Sequence, residues 1–184
     1  MHTPAALLII DQQRGIRRVA TPRNHPEAEA RMAELLALWR QRGWPLVHIR
    51  HISRDPASVF APGQDGARFQ DAFEPRADEA VLEKNVTDAF IHSQLERWLH
   101  VRGLRAVVVV GVASENSVEA TARSASCLGF ATTVVSDACY TFAKPDWSGR
   151  LRTAEEVHDM AMANLAGEYG RVLDCATLLA ELGA

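Results

Sequence analysis

The sequence predicts a three-layer α/β fold: a doubly wound, mainly parallel sheet with helices on both faces, in a single domain over residues 1–184. Short unbroken Val/Ile/Leu runs alternate with stretches of helical periodicity. The runs lack polar alternation, as strands covered on both faces do. Their order, β-α-β, a loop, then α-β-α-β-α-β, is that of right-handed crossovers.

Each element follows in turn. "ALLII" (Ala6 to Ile10) is a strand ending at Asp11, and Ala28, Met32, Leu35, Leu36 and Trp39 share one face of the next helix. "PLVHI" (Pro45 to Ile49) is the second strand. The segment from Ser53 to Glu79 is rich in Pro, Gly and Asp and too long for a simple connector, so it is expected to fold over the sheet edge as a lid. Lys84 follows an apolar pair in "VLEKNVTDAF", ahead of a helix that "SQLE" (Ser93 to Glu96) opens as a capping box. "RAVVVV" leads through Gly111 into "ENSVEATARSASCLG", a helix stopped by Gly129. "ATTVV" leads to Ser136 and Asp137, "TAEE" (Thr153 to Glu156) is a second capping box, and "GRVLD" is a weaker last strand.

Composition narrows the function. With 184 residues, 47% hydrophobic and 23% charged, the chain fills one core. A net charge of -3 with both signs interspersed provides no basic stripe for nucleic acid and no polybasic membrane patch, which leaves a small-molecule substrate. "MHTPAALLIID" has too short an apolar run and no basic leader for a signal peptide, so a cytoplasmic protein is expected. Cys127, Cys139 and Cys175 are odd in number and irregularly spaced, the pattern of reduced, mostly buried thiols. His48 and His51 fall on opposite faces of a strand, so no shared metal is expected, and no cofactor.

Ligands in such a sheet sit at the carboxyl ends of the strands. Asp11 and Ser117 both follow strands there, and Lys84 is placed to reach the same crevice. Taken singly, each has a plainer reading: a helix cap, a surface lysine, a serine bonding a helix N-terminus. Together, an acid, an amine and a hydroxyl converge.

At these separations "LLIIDQQ", "VLEKNVTDAFIHSQLERWL", "VVVVGVASENSVEATARSASCLGF" and "TTVVSDACYTF" resemble the isochorismatase-like hydrolases, also called the cysteine hydrolase family, across nearly the whole chain. The resemblance implies a doubly wound α/β fold and a small-molecule hydrolase. It makes Asp11 the acid/base, Lys84 its cationic partner, and Ser117 the occupant of the position where amidase members carry a cysteine nucleophile. It also implies a cis peptide between Val112 and Ala113, with the N–H groups of Ala113 and Ser117 as an oxyanion hole. Gln13 is the pocket residue the resemblance implies; Phe90, Asn116 and Trp147 are further candidates for the pocket. Arg123 is expected to pair with a structural acid. A homo-oligomer is expected too, covering apolar helix surface such as "LLALW".

A serine at position 117 changes the proton chemistry. Moving a proton from a thiol to a carboxylate is uphill by roughly 4.6 pKa units, but from an alcohol by roughly 11, on the order of 15 kcal/mol. Asp11 alone cannot make a standing alkoxide. Two hydrolytic chemistries remain open: attack by Ser117 on an amide-type carbonyl as its proton leaves, and protonation by Asp11 with direct attack of water, as in vinyl-ether hydrolysis of isochorismate. A catalytically silent binding protein is the third reading, against which the joint presence of Asp11 and Lys84 argues.

Overall fold

In the computed structural model, which describes residues 5–184, the chain forms eight strands and five α-helices. Met1 to Pro4, part of the N-terminal stretch read above for a leader, lie outside the described residues. In chain order these are β1 Ala6–Ile10, α1 Ala28–Arg42, β2 Leu46–His51, β3 Ala80–Lys84, α2 Leu95–Val101, β4 Ala106–Val112, α3 Glu119–Cys127, β5 Ala131–Tyr140, β6 Lys144–Pro145, β7 Leu151–Arg152, α4 Ala154–Leu165, β8 Arg171–Leu173 and α5 Cys175–Leu182. Six strands form one sheet, β3-β2-β1-β4-β5-β8, paired in parallel throughout, while β6 and β7 form a small antiparallel hairpin.

Both faces of the sheet are covered, which is why its strands read as unbroken apolar runs. Leu8, Ile10, Val47, Val107 and Val109 pack against Leu95 and Leu99 of α2, Ala122 of α3 and Ala161 of α4. Leu7, Ile9, Val108 and Val110 pack on the other side against Met32, Leu35 and Trp39 of α1 and Leu178 of α5. The apolar side of α1 is therefore core, with Leu35 and Trp39 fully buried, and "LLALW" is not an exposed surface awaiting a partner. No described helix is long and apolar enough to cross a membrane.

The order in which strands are added to the sheet reverses between β1 and β4, the switch point at which the connections leaving their carboxyl ends diverge to opposite faces and leave a crevice. There Gly111 lies so close to β1 that a Cβ would stand 2.2 Å from the Ile10 carbonyl oxygen, at a φ of +134°. A side chain at position 111 would force apart the two strands that carry Asp11 and Ser117.

The Thr153–Glu156 capping box forms as the sequence indicates. The one at Ser93 does not: α2 begins at Leu95 with Gln94 at its N-cap, and Ser93 accepts from the Leu95 N–H while donating to the Ala89 carbonyl. Ser93 stands one residue too early to cap the helix. The strand β3 and the β6–β7 hairpin were not legible. β3 is an edge strand whose Val81 and Glu83 face outward, so only Leu82 and Ala80 join the core.

The Ser53 to Glu79 segment is ordered by two single turns, Asp65–Ala67 and Asp71–Phe73, with Phe69 and Phe73 buried beneath it. Arg14 holds both turns through Asp65 at 2.8 Å and Asp71 at 2.7 Å. The segment thus closes over the residues that follow β1.

Candidate active site

Asp11 follows β1 at a left-handed φ of +53°, with its N–H bonded to the Ile49 carbonyl. Its side chain is turned toward the end of β3, where Lys84 Nζ donates to Asp11 Oδ2 at 2.6 Å, to Ser117 Oγ at 3.1 Å and to the Val86 carbonyl at 3.3 Å. An ammonium has three protons, and these three acceptors account for them. The structure therefore brings Asp11, Lys84 and Ser117 together from the ends of three strands, as the sequence reading required. All three are buried, at 6%, 3% and 7% exposure.

The cluster is only partly satisfied. Asp11 Oδ1 is buried without a hydrogen-bond partner. Burial pushes the Asp11 carboxyl above its ordinary range, against the charge and hydrogen bond of Lys84 and the Ser117 hydroxyl. His51, at the end of β2, lies beside the pair, and its imidazole is held below its usual range by burial and by the Lys84 charge. His48 instead faces the other way, to Glu79 at 2.9 Å. The two histidines do not converge.

Ser117 is positioned by a short π-helical turn, Ser114–Val118, that links β4 to α3. The Val112–Ala113 peptide before it is cis. The Ala113 carbonyl accepts from the N–H groups of Asn116 and Val118, while the Ala113 N–H has no acceptor among the described residues. Two buttresses hold the turn. Ser114 Oγ meets His158 Nδ1 of α4 at 2.7 Å, both residues being buried, and Glu115 accepts from Thr141 and from Lys144. Burial, with the nearby His25, pushes His158 down to about 4, so its ring is neutral at ordinary pH.

The remaining candidates divide. Gln13 is fully buried and engaged with backbone: its amide donates to the carbonyls of His51 and Ala67 and accepts from the His51 N–H, tying β1, β2 and the lid together. Phe90 stacks on Phe130 at 5.9 Å within the α2–α3 core. Asn116 is exposed on the turn beside Ser117. Trp147 is fully exposed at the tip of the β6–β7 hairpin and walls no part of the cluster. Arg123 pairs with Glu119 at 2.6 Å, as expected. Of the cysteines, Cys139 and Cys175 are buried, with thiols pushed up to about 12 by burial, and Cys127 is exposed. Sequence reading missed the Ser114–His158 pair, because no local pattern links residues 44 positions apart.

A parallel α/β sheet with a crevice at its switch point is an architecture that many enzymes share. The Isochorismatase domain family model matches residues 5–177, and the chain belongs to the isochorismatase family of hydrolases. A crystal structure of an isochorismatase-family protein from Chromobacterium violaceum superposes with a TM-score of 0.96 at 49% identity, covering 99% of this chain and 95% of that one. The uncharacterized isochorismatase family protein YrdC of Bacillus subtilis is 31% identical over 97% of this chain and 96% of its own length. The maleamate amidohydrolase of Pseudomonas putida is 33% identical over 71% of this chain and 69% of its own length.

Proposed function

We propose that this hydrolase cleaves an amide-type C–N bond at Asp11, Lys84 and Ser117. The observation that carries the reading is Lys84 Nζ bridging Asp11 Oδ2 and Ser117 Oγ. A hydroxyl held against that amine gains stabilisation as it loses its proton, which lowers the barrier that Asp11 alone cannot meet. Ser117 Oγ attacks the carbonyl carbon as its proton passes to the Asp11–Lys84 pair. The oxyanion lies toward the N–H groups of Ala113 and Ser117. Asp11 then delivers the proton to the departing nitrogen, leaving an acyl-serine that water hydrolyses to a carboxylic acid and free enzyme. The relation to maleamate amidohydrolase supports this reaction class.

A second reading has its own observation. An unpartnered, buried Oδ1 on a carboxyl that burial pushes up suits a proton donor, so Asp11 can protonate a substrate while water attacks directly. Substitution at Ser117 separates the two. Ser117→Ala loses most turnover if an acyl-serine forms. It stays within about tenfold, roughly 1.4 kcal/mol, if it does not. Ammonia release from maleamate, maleamide and nicotinamide by the purified chain is the primary assay. Release from at least one, removed by Asp11→Asn, is expected, and silence across all three from a folded protein overturns the amidase reading.

The chain is further proposed to act as a homo-oligomer. The support is not α1 but Trp147, Leu151 and Met160, large side chains left 63–100% exposed. Light scattering that gives only the 20.2 kDa monomer at micromolar concentration refutes it.

A further inference from the structure

A substrate must reach a cluster that is almost closed off, and a cavity of about 620 Å³ meets that cluster at Lys84. Its walls include Ile52, Arg54, Pro62, Asn85 and His92. The charges around it are unequal. Glu83 is paired with Arg50 at 2.5 Å, and Lys84 with Asp11 at 2.6 Å. Arg54 has no such partner: Nη2 donates to the neutral amide oxygen of Asn85 at 3.0 Å, and no carboxylate lies within ion-pairing distance among the described residues. Asp55, next in the chain, turns its Oδ1 to the Ala57 N–H.

Two features make this guanidinium more than a surface charge. Asn85 directly follows Lys84 and both line the cavity, so the hydrogen bond holds Arg54 on the wall of the space that reaches the amine touching Ser117. Asn85 takes one of the two Nη2 protons, and the other still forms a fork with its neighbouring N–H for a planar two-oxygen acceptor, the geometry for which a guanidinium is suited. We propose that Arg54 selects a substrate bearing a carboxylate, so that a short amide places its carbonyl at Ser117 and its carboxylate against Arg54. This rests on the hydrolase reading above and narrows it to amides of dicarboxylic acids or of comparable short anions. A neutral amide of the same skeleton leaves the guanidinium without a counter-charge.

The test is calorimetric binding of maleamate and of maleamide, its neutral diamide, in an Asp11→Asn background that halts turnover. Maleamate is expected to bind at least about tenfold more tightly. Arg54→Ala in that background erases the preference, and Arg54→Lys keeps part of it, since the charge stays but the fork is lost. In the otherwise unaltered enzyme, Arg54→Ala raises KM for maleamate by about tenfold or more while kcat stays within about twofold. Equal binding of the two amides, no binding of either at millimolar concentration, or a preference that survives Arg54→Ala overturns the assignment. A clear Arg54-dependent preference in a protein that releases ammonia from none of maleamate, maleamide and nicotinamide overturns the amidase reading instead and leaves Arg54 in place. Ammonia release without a preference does the reverse.

Discussion

Two carboxylates with buried side chains at opposite ends of the sheet, Asp11 after β1 and Glu79 before β3, show what distinguishes the proposed site from a strut. Glu79 precedes β3 and is fully satisfied: Arg40 donates to both its oxygens at 2.7 and 2.8 Å, His48 at 2.9 Å and the Arg76 N–H at 2.9 Å. Burial pushes its carboxyl up, but these four contacts outweigh burial and hold it at about 2. Asp11 has one strong partner, Lys84, and a second oxygen with none, and burial prevails. A carboxylate saturated with donors has no lone pair left for a proton in transit. One left half-satisfied and buried suits the proton exchange proposed for Asp11.

Exchanging each acid for its amide breaks the comparison most directly. Asp11→Asn is expected to lower turnover more than about 10³-fold, roughly 4 kcal/mol in the barrier, because an amide cannot carry the proton in either chemistry. The variant remains folded by circular dichroism, though less stable, since Lys84 loses its buried counter-charge. Near-native kinetics would sink the assignment of Asp11.

Glu79→Gln should do the opposite. Arg40, whose side chain is 17% exposed, is left without its counter-ion, and stability is expected to fall by about 3 kcal/mol with kcat within about twofold of the parent enzyme. Urea melts and steady-state kinetics on one preparation check both halves. A turnover loss larger than the fraction unfolded explains would show that the two carboxylates are not divided as argued.

Their pH dependences have opposite signs. Glu79 has a depressed folded pKa, so its stabilisation is complete above its ordinary value of 4.5 and is lost as pH falls toward about 2, at most about 3 kcal/mol. Asp11 has a raised folded pKa, so its contribution is complete below the ordinary 3.8 and is lost as pH rises through the folded value. Melts of Glu79→Gln and Asp11→Asn against pH, each referred to the unaltered protein, should diverge in slope. Parallel profiles would contradict the contrast.

The same contrast explains what was legible in the sequence. Five of the sheet's six strands, all but the edge strand β3, and the two cover layers were, because burial on both faces erases polar alternation from "ALLII" and "AVVVV". So were Asp11, Lys84 and Ser117, which sit at strand ends and in motifs. Glu79, His48 and Arg40 were not legible as a unit, since their pairing spans 31 to 39 positions and depends on how α1 lies beside β3. Nor was it legible that Gln13 would be engaged with the backbone, because that depends on where the lid places the Ala67 carbonyl. Trp147 points into solvent because Asp146 bonds the N–H groups of Ser148 and Arg150 and fixes the hairpin tip, a local geometry invisible in composition.

The smallest expected effect sharpens the boundary between strut and site. Ser114 and His158 touch neither Asp11 nor Lys84, yet their 2.7 Å bond holds the turn that carries Ser117 and the free Ala113 N–H. Ser114→Ala is therefore expected to lower kcat by up to about tenfold, at most about 1.4 kcal/mol, while KM stays constant, since a slackened turn misplaces the hydroxyl without altering the cavity walls. The buttress is also an acid-sensitive element. His158 has a folded pKa pushed down to about 4 against an ordinary 6.5, so its stabilisation is full above pH 6.5 and declines as pH falls toward 4. His158→Gln keeps a polar partner for Ser114 and does not titrate, so it should remove that decline while restoring part of the kcat that His158→Ala loses. Unchanged kcat in Ser114→Ala, or an acid profile that His158→Gln leaves intact, would place this pair with Glu79, among the contacts that hold the fold and take no part in the chemistry.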